Sequence, residues 1–137
     1  MPCCRNRFLR NDAPFTEYYR PGTVWTVSAI RIKAGMDPAY LQYLAGQFKK
    51  DEDAQVKAGY EKSYRILRTL DDDSSSWNLL ILREYPSLAA LEANEEKADT
   101  LSRLTVGDDQ AVMKGYEDRS KVREVVWTRT AREFMLK

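Results

Sequence analysis

Histidine is absent from the 137 residues, and cysteine is confined to the adjacent pair Cys3 and Cys4. Each shortage removes chemistry. Without an imidazole the chain can build no Ser-His-Asp or Cys-His triad, no His-ligated haem and no His-containing zinc site of its own. Two thiols fall short of a closed four-ligand zinc site, and the flanking Arg5 and Arg7 repel a cation. That pair is expected in a loose N-terminal tail. No stretch reaches the roughly 18 consecutive apolar residues of a membrane span, and residues 1–20 lack the apolar segment of a secretory signal. A cytoplasmic location is therefore expected. An excess of charge is missing too. Lys+Arg number 22 against 21 Asp+Glu, for a net +1, so no global field attracts nucleic acid or an anionic membrane. Gly-rich phosphate loops, a G-x-S-x-G elbow and Cys/His metal spacings do not occur either, and neither a cofactor nor a metal is expected.

What remains is an ordinary globular composition, 43% hydrophobic and 31% charged, at a length that suits one domain. Residues 1–22, with Pro2, Pro14 and Pro21, read as an N-terminal arm that Phe15, Tyr18 and Tyr19 could tie to a surface, and residues 23–137 as a single domain. Val24–Lys33 is rich in β-branched residues and apolar on both parities, which predicts a strand covered on both sides. Asp37-Pro38 opens a helix running to Ala58, with Asp37 as cap, Leu41, Leu44, Ala45, Phe48 and Val56 on one stripe and Gly59 as stop. Glu52 and Gln55 fall in the middle of that stripe. Tyr60–Leu70 alternates and carries many charges, as an edge strand would. The polar run Asp71–Ser76 is a turn, lacking the Gly and closing Glu of a calcium loop. Trp77–Tyr85 is the most hydrophobic segment and predicts a central strand. Pro86 ends it, and Ser87 starts a second helix carrying Leu88, Leu91, Ala98 and Leu101. Asp108 or Asp109 caps a further turn or two, and Lys121–Phe134 closes the chain as a last strand.

The order β-α-β-β-α-β defines a ferredoxin-like α+β fold, a four-stranded antiparallel sheet with helices on one face. Its other face, apolar on the two central strands, would be left bare, and a homodimer packing sheet against sheet would cover it. The segments VWTVSAIRIKAGMDPAYLQYL, WNLLILREYPSLAALE and REVVWTR resemble the dimeric α+β-barrel superfamily over about residues 24–134. That group includes antibiotic-biosynthesis-type monooxygenases and EthD-like, NIPSNAP-like and many uncharacterised bacterial proteins. The resemblance implies a homodimer that binds a small apolar or aromatic molecule between sheet and helices. It also implies cofactor-free monooxygenase-like or isomerase-like chemistry; the alternative is a non-catalytic homodimeric interaction or scaffold protein. The lack of histidine separates this chain from the haem-using members.

Three groups of residues are candidates for a site. Glu52, if it faces the sheet, would be partly desolvated and suited to acid–base work, with Arg31 or Arg83 as possible ion-pair partners; if the helix overshoots the sheet, Glu52 stays in water. Ser28, Arg31, Asn78, Arg83 and Glu84 place polar groups on the central strands, where they line a pocket or bridge a dimer. The catalytic candidates are Glu52 as base with Arg31, Asn78 and Arg83 positioning a substrate. Among the aromatics, Phe48, Tyr64, Trp77 and Trp127 are the ligand-binding candidates, and core or interface packing is their other role. No RNP-like basic-aromatic run appears, so RNA binding is not expected despite the shared strand order.

Overall fold

The computed structural model describes residues 17–71 and 76–137. Cys3, Cys4, Phe15 and most of the Asp71–Ser76 turn lie outside them. Four strands, β1 (Tyr19–Ile32), β2 (Ser63–Arg68), β3 (Leu79–Tyr85) and β4 (Arg123–Leu136), form one antiparallel sheet in the order β2-β3-β1-β4. This is the ferredoxin-like arrangement, with β1 and β3 at the centre and the charged β2 at an edge. Strand β1 starts at Tyr19, inside the stretch read from sequence as arm. Tyr19 pairs with Leu136 and stacks on Phe134 with ring centroids 3.9 Å apart. One extra residue between Pro21 and Val24 shifts the β1–β4 register beside Gly22. A Cβ there would lie 2.9 Å from that of Glu133, so only glycine lets the strands close.

The first helix, α1, has three parts: α-helix Asp37–Tyr43, a π-helical stretch Leu44–Phe48 and α-helix Lys49–Ala58. Its buried stripe is Tyr40, Leu44, Phe48 and Glu52, whereas Leu41 is 51% exposed. Four-residue steps drift by about 40° each on a straight α-helix. The wider π turn absorbs part of that drift and holds all four on the sheet side. Periodicity read at 100° per residue had instead put Leu41 and Ala45 on the stripe. Asp37 makes no cap; Met36 occupies that position and Asp37 accepts a 2.7 Å hydrogen bond from Arg68. Gly59 ends the helix at φ +78°, and the bonds Tyr60 N to Gln55 O and Gly59 N to Val56 O complete a Schellman cap. Those bonds take Tyr60 into the helix end, which is why β2 begins at Ser63 rather than Tyr60.

Ser87 caps α2 (Leu88–Thr105) by accepting from Ala90 N at 3.1 Å, and Asp108 caps α3 (Asp109–Ser120) by accepting from Ala111 N at 2.9 Å. The third helix is thus three turns long, more than the sequence suggested. The core, Ile30, Ile32, Tyr40, Leu44, Phe48, Leu79 and Ile81, lies between α1 and the face of β1 and β3 bearing those residues. On the opposite face Trp25, Val27, Leu80, Leu82 and Trp127 are only half-buried, and Leu67 is 51% exposed. None of the described helices is long and apolar enough to cross a membrane.

Candidate functional site

Between the sheet and the three helices lies a cavity of about 680 Å³. Ser28, Ile30, Ile81 and Arg83 form part of its floor, and Tyr40, Tyr43, Phe48 and Glu52 part of the α1 wall. The register explains why these side chains share a face: Ser28 pairs with Ile81 and Thr128, and Thr26 with Arg83. Strand β4 carries one extra residue between its Trp127 and Val125 pairs, and the shift keeps both Val125 and Thr128 on the cavity side.

At the end of the cavity near the α1 C-terminus, Glu52 is 3% exposed and held by Arg83. Arg83 Nε donates to both carboxylate oxygens at 2.9 and 3.0 Å, and Nη2 donates to Oε1 at 2.8 Å. This is the planar fork geometry that suits a guanidinium to a buried carboxylate. Burial alone would lower the Arg83 pKa, but Glu52 more than offsets it and the net direction is upward. Glu61, 2% exposed, sits beside them, and neither of its oxygens has a hydrogen-bond donor among the described residues. Burial first, and then the adjoining Glu52, push its pKa up to about 9. Glu61 is therefore a neutral acid at pH 7, and its own proton is what it offers to Glu52. Phe48 closes this end, with the Arg83 guanidinium 5.5 Å from its ring centre.

At the other end Tyr40 is fully buried and its hydroxyl has no hydrogen-bond partner among the described residues. Burial raises its pKa, against the opposing fields of Arg123 and Arg119. Arg123 lies over the Tyr40 ring at 5.6 Å, and its buried Nε likewise has no partner among the described residues. Arg119 lies over Tyr43 at 5.1 Å and Tyr116 at 4.6 Å.

Of the catalytic candidates, Glu52 and Arg83 meet on the cavity wall, while Arg31 and Asn78 do not reach it. Arg31 points to the open sheet face and pairs with Glu124 at 2.6 Å, as the Arg31–Glu124 register requires. Asn78 precedes β3 and brackets the backbone of Ile32, accepting from its N–H at 2.9 Å. Among the ligand-binding candidates Phe48 lines the cavity. Tyr64 packs edge-on against Phe48 and donates to Asp53 at 2.6 Å; the Lys49 ammonium first, and then this hydroxyl, lower the Asp53 pKa. Trp77, just outside β3, and Trp127 pack edge-to-face against each other at 6.4 Å, away from the cavity. Glu84 accepts from Ser63 at 2.6 Å and Thr23 at 2.7 Å, and Gln55 accepts from Asn94 on α2. Sequence reasoning missed Glu61, read as an exposed strand charge, and passed over Arg119 and Arg123. For Glu61 the only available signal was its place two residues past the helix-ending Gly59. No group of His, Cys, Asp and Glu with metal-binding geometry occurs among the described residues.

No family model matches the chain, and no curated protein matches it. Solved structures of similar fold do exist. A dimeric ferredoxin-like protein from an uncultured marine organism has TM-score 0.55 at 12% identity, over 85% of this chain and 90% of that one. A protein from Shewanella oneidensis has TM-score 0.54 at 15% identity, over 85% and 98%. A NIPSNAP family protein of unknown function from Agrobacterium tumefaciens has TM-score 0.54 at 12% identity, over 85% and 90%. At such identities the likeness establishes the fold, and it includes a member of one of the groups that the sequence resembles.

Proposed function

We propose that this chain forms a homodimeric α+β barrel that binds a small apolar or aromatic molecule between its sheet and its helices. The observation that carries this reading is the cavity itself. Its size is that of a small-ligand site, and its walls combine Tyr40, Tyr43, Phe48 and Ile81 with a few fixed polar groups. The half-buried face of Trp25, Val27, Leu80 and Leu82 supports the dimer, because a second copy packed on it would remove that surface from water. The protein of similar fold from an uncultured marine organism is described as dimeric, which favours the same assembly.

Acid–base chemistry of the isomerase-like or cofactor-free monooxygenase-like kind is a second reading. It rests on the pairing of Glu52, fixed by Arg83, with the neutral acid Glu61.

Calorimetric titration with naphthamide, a neutral aromatic, is expected to give saturable binding at one site per chain. Ser28→Phe, which fills the cavity from its floor, is expected to abolish it; binding that survives would place the ligand elsewhere. In sedimentation at micromolar concentration the wild type is expected as a dimer and Leu82→Lys as a monomer, and a monomeric wild type would refute the assembly. For the catalytic reading, deuterium exchange at the α-carbons of tetralone should be accelerated by the wild type and not by Glu52→Gln. Equal rates in the two would remove Glu52 from the chemistry.

A further inference from the structure

The two arginines at the Tyr40 end differ from most other charged groups around the cavity, Asp99 on α2 being the other lining charge without an ion pair or a side-chain hydrogen bond among the described residues. Arg83 has Glu52; Asp118 has Lys121 at 3.7 Å; Asp51 accepts from Thr105 and Gln47. Arg119 and Arg123 make no ion pair among the described residues. Both instead stack on tyrosine rings, a contact that fixes the guanidinium plane and leaves its N–H edge open for a planar, two-oxygen acceptor. The Arg123 Nε and the fully buried Tyr40 hydroxyl are unpartnered as well. Each unsatisfied group at this end can donate a hydrogen bond, the Tyr40 hydroxyl being able to accept one as well, and no carboxylate pairs with the two guanidiniums among the described residues. A buried donor left without one costs about 1–3 kcal/mol, and such a cost concentrated in one corner of a cavity points to an occupant.

Position adds to the argument. Arg123 pairs with Ile32 on β1 and Arg83 with Thr26, six residues apart, so the two ends of the site are separated by about 20 Å along the strand. Between them the floor is Ile30 and Ile81. A second hollow of about 420 Å³ adjoins this end, sharing Tyr116, Arg119, Arg123 and Val125 with the cavity.

We infer that the ligand is an aromatic carboxylic acid whose ring body lies over Ile30 and Ile81 and whose carboxylate is received by Arg119, Arg123 and the Tyr40 hydroxyl. This rests on the cavity being a ligand site, and the two ideas fail differently. Naphthoate and naphthamide share a ring system and differ in charge. In calorimetric titrations naphthoate should bind roughly tenfold or more tightly than naphthamide, the discrimination expected of a charge-assisted, two-donor contact. Arg119→Met and Arg123→Met should each bring the two affinities to within about threefold by removing that contact. Tyr40→Phe deletes an orphaned hydroxyl, so it should hold or raise the melting temperature while weakening naphthoate severalfold. Equal affinity for the two probes would overturn the acid and leave the cavity reading standing. Failure of both probes to bind would overturn both. Inorganic phosphate binding as tightly as naphthoate would show a bare anion site and overturn the aromatic acid. Unchanged naphthoate affinity in Tyr40→Phe would remove the hydroxyl from the recognition and overturn the three-donor assignment.

Discussion

The two ends of one cavity hold buried charge in opposite ways. At the Glu52 end opposite charges are paired, a guanidinium fork on a carboxylate, with the neutral acid Glu61 beside them although its oxygens receive no donor among the described residues. At the Tyr40 end two guanidiniums lie over tyrosine rings with no carboxylate to pair with among the described residues, beside a phenol whose hydroxyl has no partner among them either. A charge-paired cluster contributes to folding, and removing one partner of the pair leaves the other buried and uncompensated. A cluster short of an acceptor contributes little to folding, and its members can be exchanged at small cost until a ligand is present. Stability and binding should therefore respond to substitutions at opposite ends.

The largest expected effect is at the charge-paired end. Arg83→Met leaves Glu52 buried without its counter-charge and next to a second carboxyl group, a change expected to destabilise by about 3–5 kcal/mol. Arg119→Met gives up its guanidinium's place over Tyr43 and Tyr116 but no ion pair, and should cost only about 0.5–1.5 kcal/mol. Urea unfolding of the two variants measures both. Comparable losses would erase the distinction between the two ends.

Glu61 gives the next effect, and its sign follows from its pKa. The folded value of about 9 lies above the ordinary carboxylate value of 4.5, so the folded state keeps a proton that the unfolded state has released. The resulting stability is fully present below about pH 4.5 and is lost as pH rises through about 9, with a slope approaching about 1.4 kcal/mol per pH unit in between. Glu61→Gln mimics the neutral acid and has nothing to titrate. It should flatten the decline and melt several degrees above the wild type at pH 8. A wild type whose melting temperature is level from pH 5 to 9 would show Glu61 ionised in the fold.

The order of elements could be read from the chain because strand alternation, Asp/Ser caps and Gly59 are local signals. The place of Glu52 on the helix face turned toward the sheet was legible too, as a matter of periodicity, but whether the helix overshoots the sheet and leaves that carboxylate in water was not. Which neighbours share that face could not be read, because the π stretch at Leu44–Phe48 re-phases the helix midway and no residue there announces it. Arg31 and Arg83 looked equivalent as partners for Glu52. Strand parity separates them, placing Arg31 on the open face with Glu124 and Arg83 under the helix. Trp77 and Trp127 were drawn toward the site by residue type alone, and they satisfy each other instead. Arg119 and Arg123 stand near the junction of α3 and β4, and only the sheet order brings that junction against the first half of α1.

The smallest effect is the sharpest test of how the unsatisfied end is held. Gly115 lies inside α3, and a Cβ on it would come within 3.0 Å of Arg119 Nη1, which folds back along the helix over the glycine. Gly115→Ala should stabilise the helix by up to about 0.8–1 kcal/mol, because alanine gives up less backbone freedom. The same methyl pushes the guanidinium a few tenths of an ångström from its place over Tyr43 and Tyr116. A displacement that small weakens a directional contact without removing the charge, so naphthoate affinity should fall about twofold to threefold and naphthamide affinity should not move. A glycine kept in a helix interior at the expense of stability has a reason when it holds a binding group in line. If the alanine variant melts higher and binds naphthoate unchanged, the position of Arg119 over Gly115 plays no part in recognition.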